Sequence, residues 1–83
     1  MSIAVEKAEI ILGRSSDASL SVNDEFLSGR HLRLFRIGGR LAVEDLQSTN
    51  GSLLNGKPLA QPVLLKVGDV IEAGKTSLTV LGD

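Results

Sequence analysis

His31-Leu32-Arg33-Leu34-Phe35-Arg36-Ile37-Gly38-Gly39-Arg40-Leu41-Ala42-Val43-Glu44-Asp45-Leu46 is the stretch on which the reading of the fold turns. Two largely apolar runs flank a glycine pair. A two-residue hairpin loop needs positive φ, which glycine adopts without steric cost. The stretch therefore predicts a β-hairpin with strands over 31–37 and 40–46. In the second strand Leu41 and Val43 share one face, and Ala42 and Glu44 share the other.

The same rhythm extends outward. Ile10-Ile11-Leu12 stops at Gly13, Val63-Leu64-Leu65 stops near Gly68-Asp69, and Val70-Ile71 stops at Gly74-Lys75. Short apolar runs cut this often by turn residues predict an all-β sandwich or barrel. Gly74-Lys75 predicts a hairpin between strands over 70–73 and 77–81. Asn55-Gly56, with Pro58 just beyond, predicts another tight turn. Only Ala4, Ala8, Ile11 and Leu12 fit a helical stripe, and Gly13 ends it early. That region is read as two strands with a turn at Glu6-Lys7. No internal repeat or low-complexity tract is present.

Composition narrows the function. The chain has 83 residues, which suits one small domain. It buries only about 60–70% of the surface its unfolded form exposes. Phe26 and Phe35 are the only aromatics, so the core must come from Leu, Ile, Val and Ala. The formal net charge is −1. A nucleic-acid binder is expected to be strongly basic and, for single strands, rich in stacking aromatics; neither holds. Four of the five arginines, Arg30, Arg33, Arg36 and Arg40, fall within eleven residues. No cysteine occurs, which removes disulfides, thiolate metal sites and a cysteine nucleophile. No apolar run nears the ~20 residues of a membrane span, and the N-terminus lacks a signal layout. A cytoplasmic location, with no membrane association, is the expectation.

Several loop residues are suited to an anion. Arg14 follows the strand over 9–12 and can offer its planar fork to a phosphate or carboxylate. Ser28 can donate its hydroxyl, and Gly29 lets a ligand approach the backbone. Arg30 either adds charge or faces water. Thr49 offers a second hydroxyl. Asn50 can pair with both donor and acceptor sides of an extended peptide. His31 is the only histidine. As no other histidine or cysteine exists to complete a metal site, a structural hydrogen-bonding role is favoured, and no metal is expected.

Taken together, Gly13-Arg14, Ser28-x-x-His31, Asp45-Leu46-x-Ser48-Thr49-Asn50-Gly51, Asn55-Gly56, Leu65-x-x-Gly68-Asp69 and Gly74-x-x-x-Leu78 closely resemble the forkhead-associated (FHA) domain, a phosphothreonine-binding module. The resemblance runs from Glu9 to Leu81. It implies a β-sandwich of two twisted, mainly antiparallel sheets, FHA/SMAD-like, with about 10–11 short strands and binding loops at one end. It implies a single domain over 1–83 that binds phosphothreonine-containing proteins or peptides without a cofactor, as a monomer or as part of a larger multidomain chain. By position, Arg14, Ser28 and Thr49 contact the phosphate and Asn50 the peptide main chain. Gly29 and Arg30 are additional candidate contacts. His31 braces the Ser28 loop, while Gly13, Gly51, Asn55, Gly56 and Asp69 serve the fold. Family members often carry a basic or amide residue where this chain has Gly29. The loops are also tight, which predicts a reduced surface for reading residues that flank the phosphothreonine.

Two other functions compete. Ser28, His31 and Asp45 are the residue types of a hydrolase triad, but no G-x-S-x-G elbow or Walker loop occurs. Glu44 and Asp45 are adjacent on a strand and point to opposite faces. An enzyme is therefore not expected. The alternative is a phosphate-independent scaffold of the same fold, as in some secretion-machinery components, with the arginines of 30–40 offered as its contact face.

Overall fold

Gly38 and Gly39 both take positive φ, 55° and 80°, and close the predicted hairpin between two strands, each six residues long. The computed structural model describes residues 2–3 and 8–81; the turn expected at Glu6-Lys7 lies outside them. In chain order the strands are β1 (Ser2–Ile3), β2 (Glu9–Gly13), β3 (Leu20–Ser21), β4 (Leu32–Ile37), β5 (Arg40–Asp45), β6 (Ser52–Leu54), β7 (Lys57–Pro58), β8 (Val63–Leu64), β9 (Val70–Ala73) and β10 (Thr76–Val80). Among the described residues no segment is helical, and none is a helix long and apolar enough to cross a membrane.

The strands form two sheets, ordered β1-β10-β9-β6-β7 and β3-β2-β4-β5-β8. Pairing is antiparallel except for β1 with β10 and β2 with β3. Inward-facing residues of the two sheets meet in an aliphatic core. Leu12, Leu32, Leu34, Leu41 and Val43 come from one sheet, and Ile71, Ala73, Leu78 and Val80 from the other. Leu27, Leu59 and Leu65 fill in from the connections. No aromatic joins them, as the composition requires. Burying each such side chain is worth about 1.5–3 kcal/mol.

The outer face of the second sheet departs from simple alternation. Ala42 faces outward yet is fully buried, lying between its cross-strand partners Phe35 and Leu64. Arg33 covers Phe35, its guanidinium carbon 4.0 Å from the ring centroid. The same guanidinium pairs with Glu9 at 2.5 Å and Glu44 at 3.1 Å, and these bonds raise its pKa above the ordinary value. The arginine cluster is thus partly consumed within its own sheet.

Strand register decides which loops meet. Pairing of Leu32 with both Leu12 and Asp45, and of Ser52 with Ala73, brings four connections to one end. They are the loop leaving β2, the loop entering β4, the β5–β6 loop and the β9–β10 turn. Asn55-Gly56 closes the β6–β7 turn at the opposite end of β6. There Asn55 donates to Asp69 Oδ1 and accepts from Val70 N–H.

Three residues lock the loop end. Gly13 lies against the backbone of Gly29, and a Cβ built on it would stand 1.9 Å from the Gly29 carbonyl oxygen. His31 is fully buried. Its Nδ1 accepts from Ser28 N–H at 3.0 Å, and its Nε2, which must carry the proton, donates to Gly51 O at 2.9 Å. Asp45, at the end of β5, accepts from Ser48 N–H at 2.7 Å, Ser48 Oγ at 2.6 Å and Ser52 Oγ at 2.5 Å. Ser52 belongs to the other sheet, so this carboxylate joins the two layers. Partial burial pushes the Asp45 carboxyl up. The Ser48 and Ser52 hydrogen bonds outweigh that and hold it below the usual carboxylate value.

Gly13→Ala should therefore destabilise the domain by roughly 3 kcal/mol or more, because backbone rather than a flexible side chain must yield; chemical denaturation reads this directly. Asp45→Ala strands three donors and should cost about 2–3 kcal/mol. The carboxyl titrates below its unfolded value, so its stabilisation is complete above about pH 4 and is lost as pH falls through the folded value. Thermal melts across that range should show Asp45→Ala to be less acid-sensitive than the wild type.

Candidate functional site

The loop leaving β2 and the loop entering β4 are zipped by main-chain bonds. Arg14 N–H donates to Ser28 O at 3.0 Å, and Ser15 N–H to Gly29 O at 3.1 Å. This pairing is the reason for the Gly13 approach, and it sets Arg14 beside Ser28. Ser28 Oγ accepts from Thr49 N–H at 3.0 Å, which draws in the β5–β6 loop. That bond uses a lone pair and leaves the Ser28 hydroxyl proton to donate elsewhere. Asn50 donates through Nδ2 to Phe26 O at 2.9 Å. Its amide oxygen and second N–H stay available.

The outcome is a hollow of about 300 Å³ lined by Arg14, Glu25, Ser28, Gly29, Thr49 and Asn50, among others. Arg14, Ser28 and the Thr49-Asn50 pair, from three separate segments of the sequence, are brought together here, with Gly29 beside them. Arg30 is exposed and is not part of the lining. His31 and Gly51 lie in the support beneath, and Gly13 behind. Asn55, Gly56 and Asp69 are at the other end of the sandwich, away from the hollow. The Arg14 guanidinium reaches Glu25 O at a long 3.5 Å, a weak contact by distance.

A second concavity adjoins the first. A groove of about 550 Å³ runs on from Phe26 and Asn50, which line both, past Leu53 and Pro58 to Glu72 and Lys75. Lys75 Nζ sits 4.9 Å from the centre of the Phe26 ring. Sequence reasoning passed over Phe26, Glu25, Leu53 and Lys75. Phe26 had a usable cue: it is one of two aromatics, set in a polar loop two residues before Ser28.

The triad suggested by residue type does not assemble. His31 Nδ1 is taken by the Ser28 main chain, not its hydroxyl, and Nε2 by Gly51 O. The imidazole therefore has no free nitrogen with which to accept the Ser28 proton. Among the described residues no group of three His, Cys, Asp or Glu side chains is placed to hold a metal ion.

Comparison with known proteins agrees with this geometry. The family model described as FHA domain matches residues 10–74. FHA domain-containing protein FhaB of Mycobacterium tuberculosis is 34% identical over 76 residues, covering 92% of this chain; the chain spans about half of that relative, 49% of its length. Among solved structures, the FhaA FHA domain in complex with the intracellular domain of Rv3910 superposes with a TM-score of 0.80 at 35% identity, covering 90% of this chain and 81% of that one. The MEK1 FHA domain, solved with a HOP1 phosphothreonine peptide, gives a TM-score of 0.80 at 26% identity, covering 95% and 85%. The family model spans most of the chain and the FhaB relative is 34% identical over 92% of it, so the chain belongs to the FHA-domain family.

Proposed function

We propose that this chain is a phosphothreonine-dependent protein-interaction module, acting as one domain in the cytoplasm and carrying no catalytic activity of its own. The observation that carries the reading is the convergence of Arg14, Ser28 and Thr49 on one hollow, with Asn50 at its junction with the groove. A phosphothreonine brings about −1.5 to −2 charges at pH 7 and three acceptor oxygens. The Arg14 fork pairs with two of them, and the Ser28 and Thr49 hydroxyls donate to the remainder. Asn50 offers its free amide oxygen and N–H to the peptide main chain, and the groove beyond receives a flanking side chain.

Energetics favour ligand over the resting contacts. Arg14 gives up only a long bond to a neutral carbonyl. In exchange it gains charge-assisted bonds worth about 1.5–3 kcal/mol each. The relatives' ligands support the same class: the MEK1 domain was solved with a phosphothreonine peptide, and another FHA domain at 36% identity was solved in work on phosphothreonine-dependent interactions. The scaffold alternative loses part of its ground, since Arg33 is already bound to Glu9 and Glu44.

An oriented phosphothreonine peptide library, run beside phosphoserine and unmodified controls, is the decisive measurement. Selective enrichment of phosphothreonine is expected; equal retention of the unmodified peptide would establish the scaffold reading instead. Arg14→Ala removes two charge-assisted bonds and should weaken binding of a selected peptide at least about 100-fold in a calorimetric titration, with the fold intact. Affinity should also fall as pH drops through about 6, where the phosphate loses its second charge.

A further inference from the structure

The hollow and the groove meet at Phe26 and Asn50, which line both, and a single buried carboxylate fixes the Phe26 side of that junction. Asp24 is 9% exposed. Its Oδ1 accepts from Phe26 N–H at 2.9 Å. Its Oδ2 accepts from Lys75 N–H at 2.7 Å and from the Thr76 hydroxyl at 2.8 Å. The last two donors lie on the β9–β10 hairpin, about fifty residues away in sequence. The approach is so close that a Cβ on Gly74 would stand 2.8 Å from Oδ2 and 3.1 Å from the Phe26 carbonyl carbon, at a φ of +58°. Burial pushes the Asp24 carboxyl up. The bonds from Phe26, Thr76 and Lys75 more than offset that and hold it below the usual carboxylate value.

The carbonyls of the next two residues meet the two long side chains of the site, Glu25 O through a long contact and Phe26 O through a full hydrogen bond. Glu25 O takes the Arg14 guanidinium, and Phe26 O takes the Asn50 amide. We propose that Asp24 is a positioning residue for phosphopeptide binding: by clasping the Phe26 main chain to the β9–β10 hairpin, it sets where Asn50 faces the ligand. The proposal rests on the function argued above and adds a residue that touches no ligand. Its physical basis is preorganisation. Side chains already held near their bound geometry lose less freedom when ligand arrives. Asp24 reaches Asn50 through Phe26, whose N–H it accepts and whose carbonyl takes the Asn50 amide.

Asp24→Asn isolates the clasp. The retained oxygen still accepts from Phe26 N–H and keeps the local turn. The new NH₂ faces Lys75 N–H, a donor that cannot turn away, so that bond to the hairpin is lost and only the Thr76 hydroxyl, by reversing to accept, can keep a contact. Two readouts are taken on the folded protein. In the unliganded state, the NMR signals of the Asn50 side-chain NH₂ should move and broaden. In titrations, a phosphothreonine peptide should bind roughly tenfold more weakly. That loss should shrink clearly when measured in an Asn50→Ala background, because the two residues act through one contact. Unmoved Asn50 signals, affinity within twofold of wild type, or a loss that is fully additive with Asn50→Ala would each overturn the proposal. If Asp24→Asn fails to fold, Thr76→Val removes a single hairpin donor and should give the same pattern at about threefold. A wild type that binds no phosphothreonine peptide would refute the function argued above; the Asn50 signals would then still decide whether Asp24 positions that side chain.

Discussion

His31 sits in the apolar interior with both ring nitrogens engaged, and each bond ends on the main chain of a different loop. One pins Ser28 N–H, the other Gly51 O. An imidazole is one of few side chains that can accept at one point and donate at another across a rigid ring. Replacing it by an apolar residue would leave a main-chain donor and acceptor facing a core without water, at about 1–3 kcal/mol each. Every buried side-chain polar atom among the described residues has a partner. The loop end is therefore a satisfied polar layer laid over an aliphatic one, with His31 and Asp45 at the seam.

This arrangement explains how loops can present a defined surface on so small a body. Two short sheets with a core of Leu, Ile, Val and Ala supply the cohesion, but an aliphatic core is indifferent to where loops point. Direction comes from the polar bonds: main chain to main chain between the Arg14 and Ser28 loops, Thr49 N–H to Ser28 Oγ, and Asp45 across to Ser52. Each of these bonds links segments that sequence places apart. The site is thereby a property of the sandwich and not of any one loop.

How much of this was legible follows from the range of the interactions. The Gly38-Gly39 hairpin is local, and its turn chemistry announces it. The aliphatic nature of the core follows from having two aromatics and no cysteine. The short β3 and β7 strands exist only because neighbours pair with them, and Pro58 is tolerated because β7 is an edge. Ala42 reads as an outward, half-exposed position until Phe35 and Leu64 close over it. Asp24 looks like an ordinary loop acid, since the donors that define it lie on a hairpin far along the chain. Arg30, adjacent to two site residues in sequence, points away from the hollow's lining, because adjacency on a loop does not fix direction.

Gly29 bears on how the site divides its work. A Cβ there would meet only Ser15 Cβ at an ordinary 3.6 Å, so the glycine is not forced by lack of space. With no side chain at position 29 and Arg30 outside the lining, Arg14 is, among the described residues, the only cationic side chain lining the hollow. Lys75 lies beyond Phe26, in the groove. One guanidinium in a solvent-open hollow is screened by salt within about 8–10 Å. In the proposed binding mode the phosphate therefore confers dependence on modification, while discrimination between phosphorylated partners shifts to the groove. There Phe26, Leu53 and Pro58 present apolar surface between Glu72 and Lys75. The Asp24 clasp gains its importance from this division, because it fixes the Phe26 main chain that seats Asn50 where the hollow meets the groove.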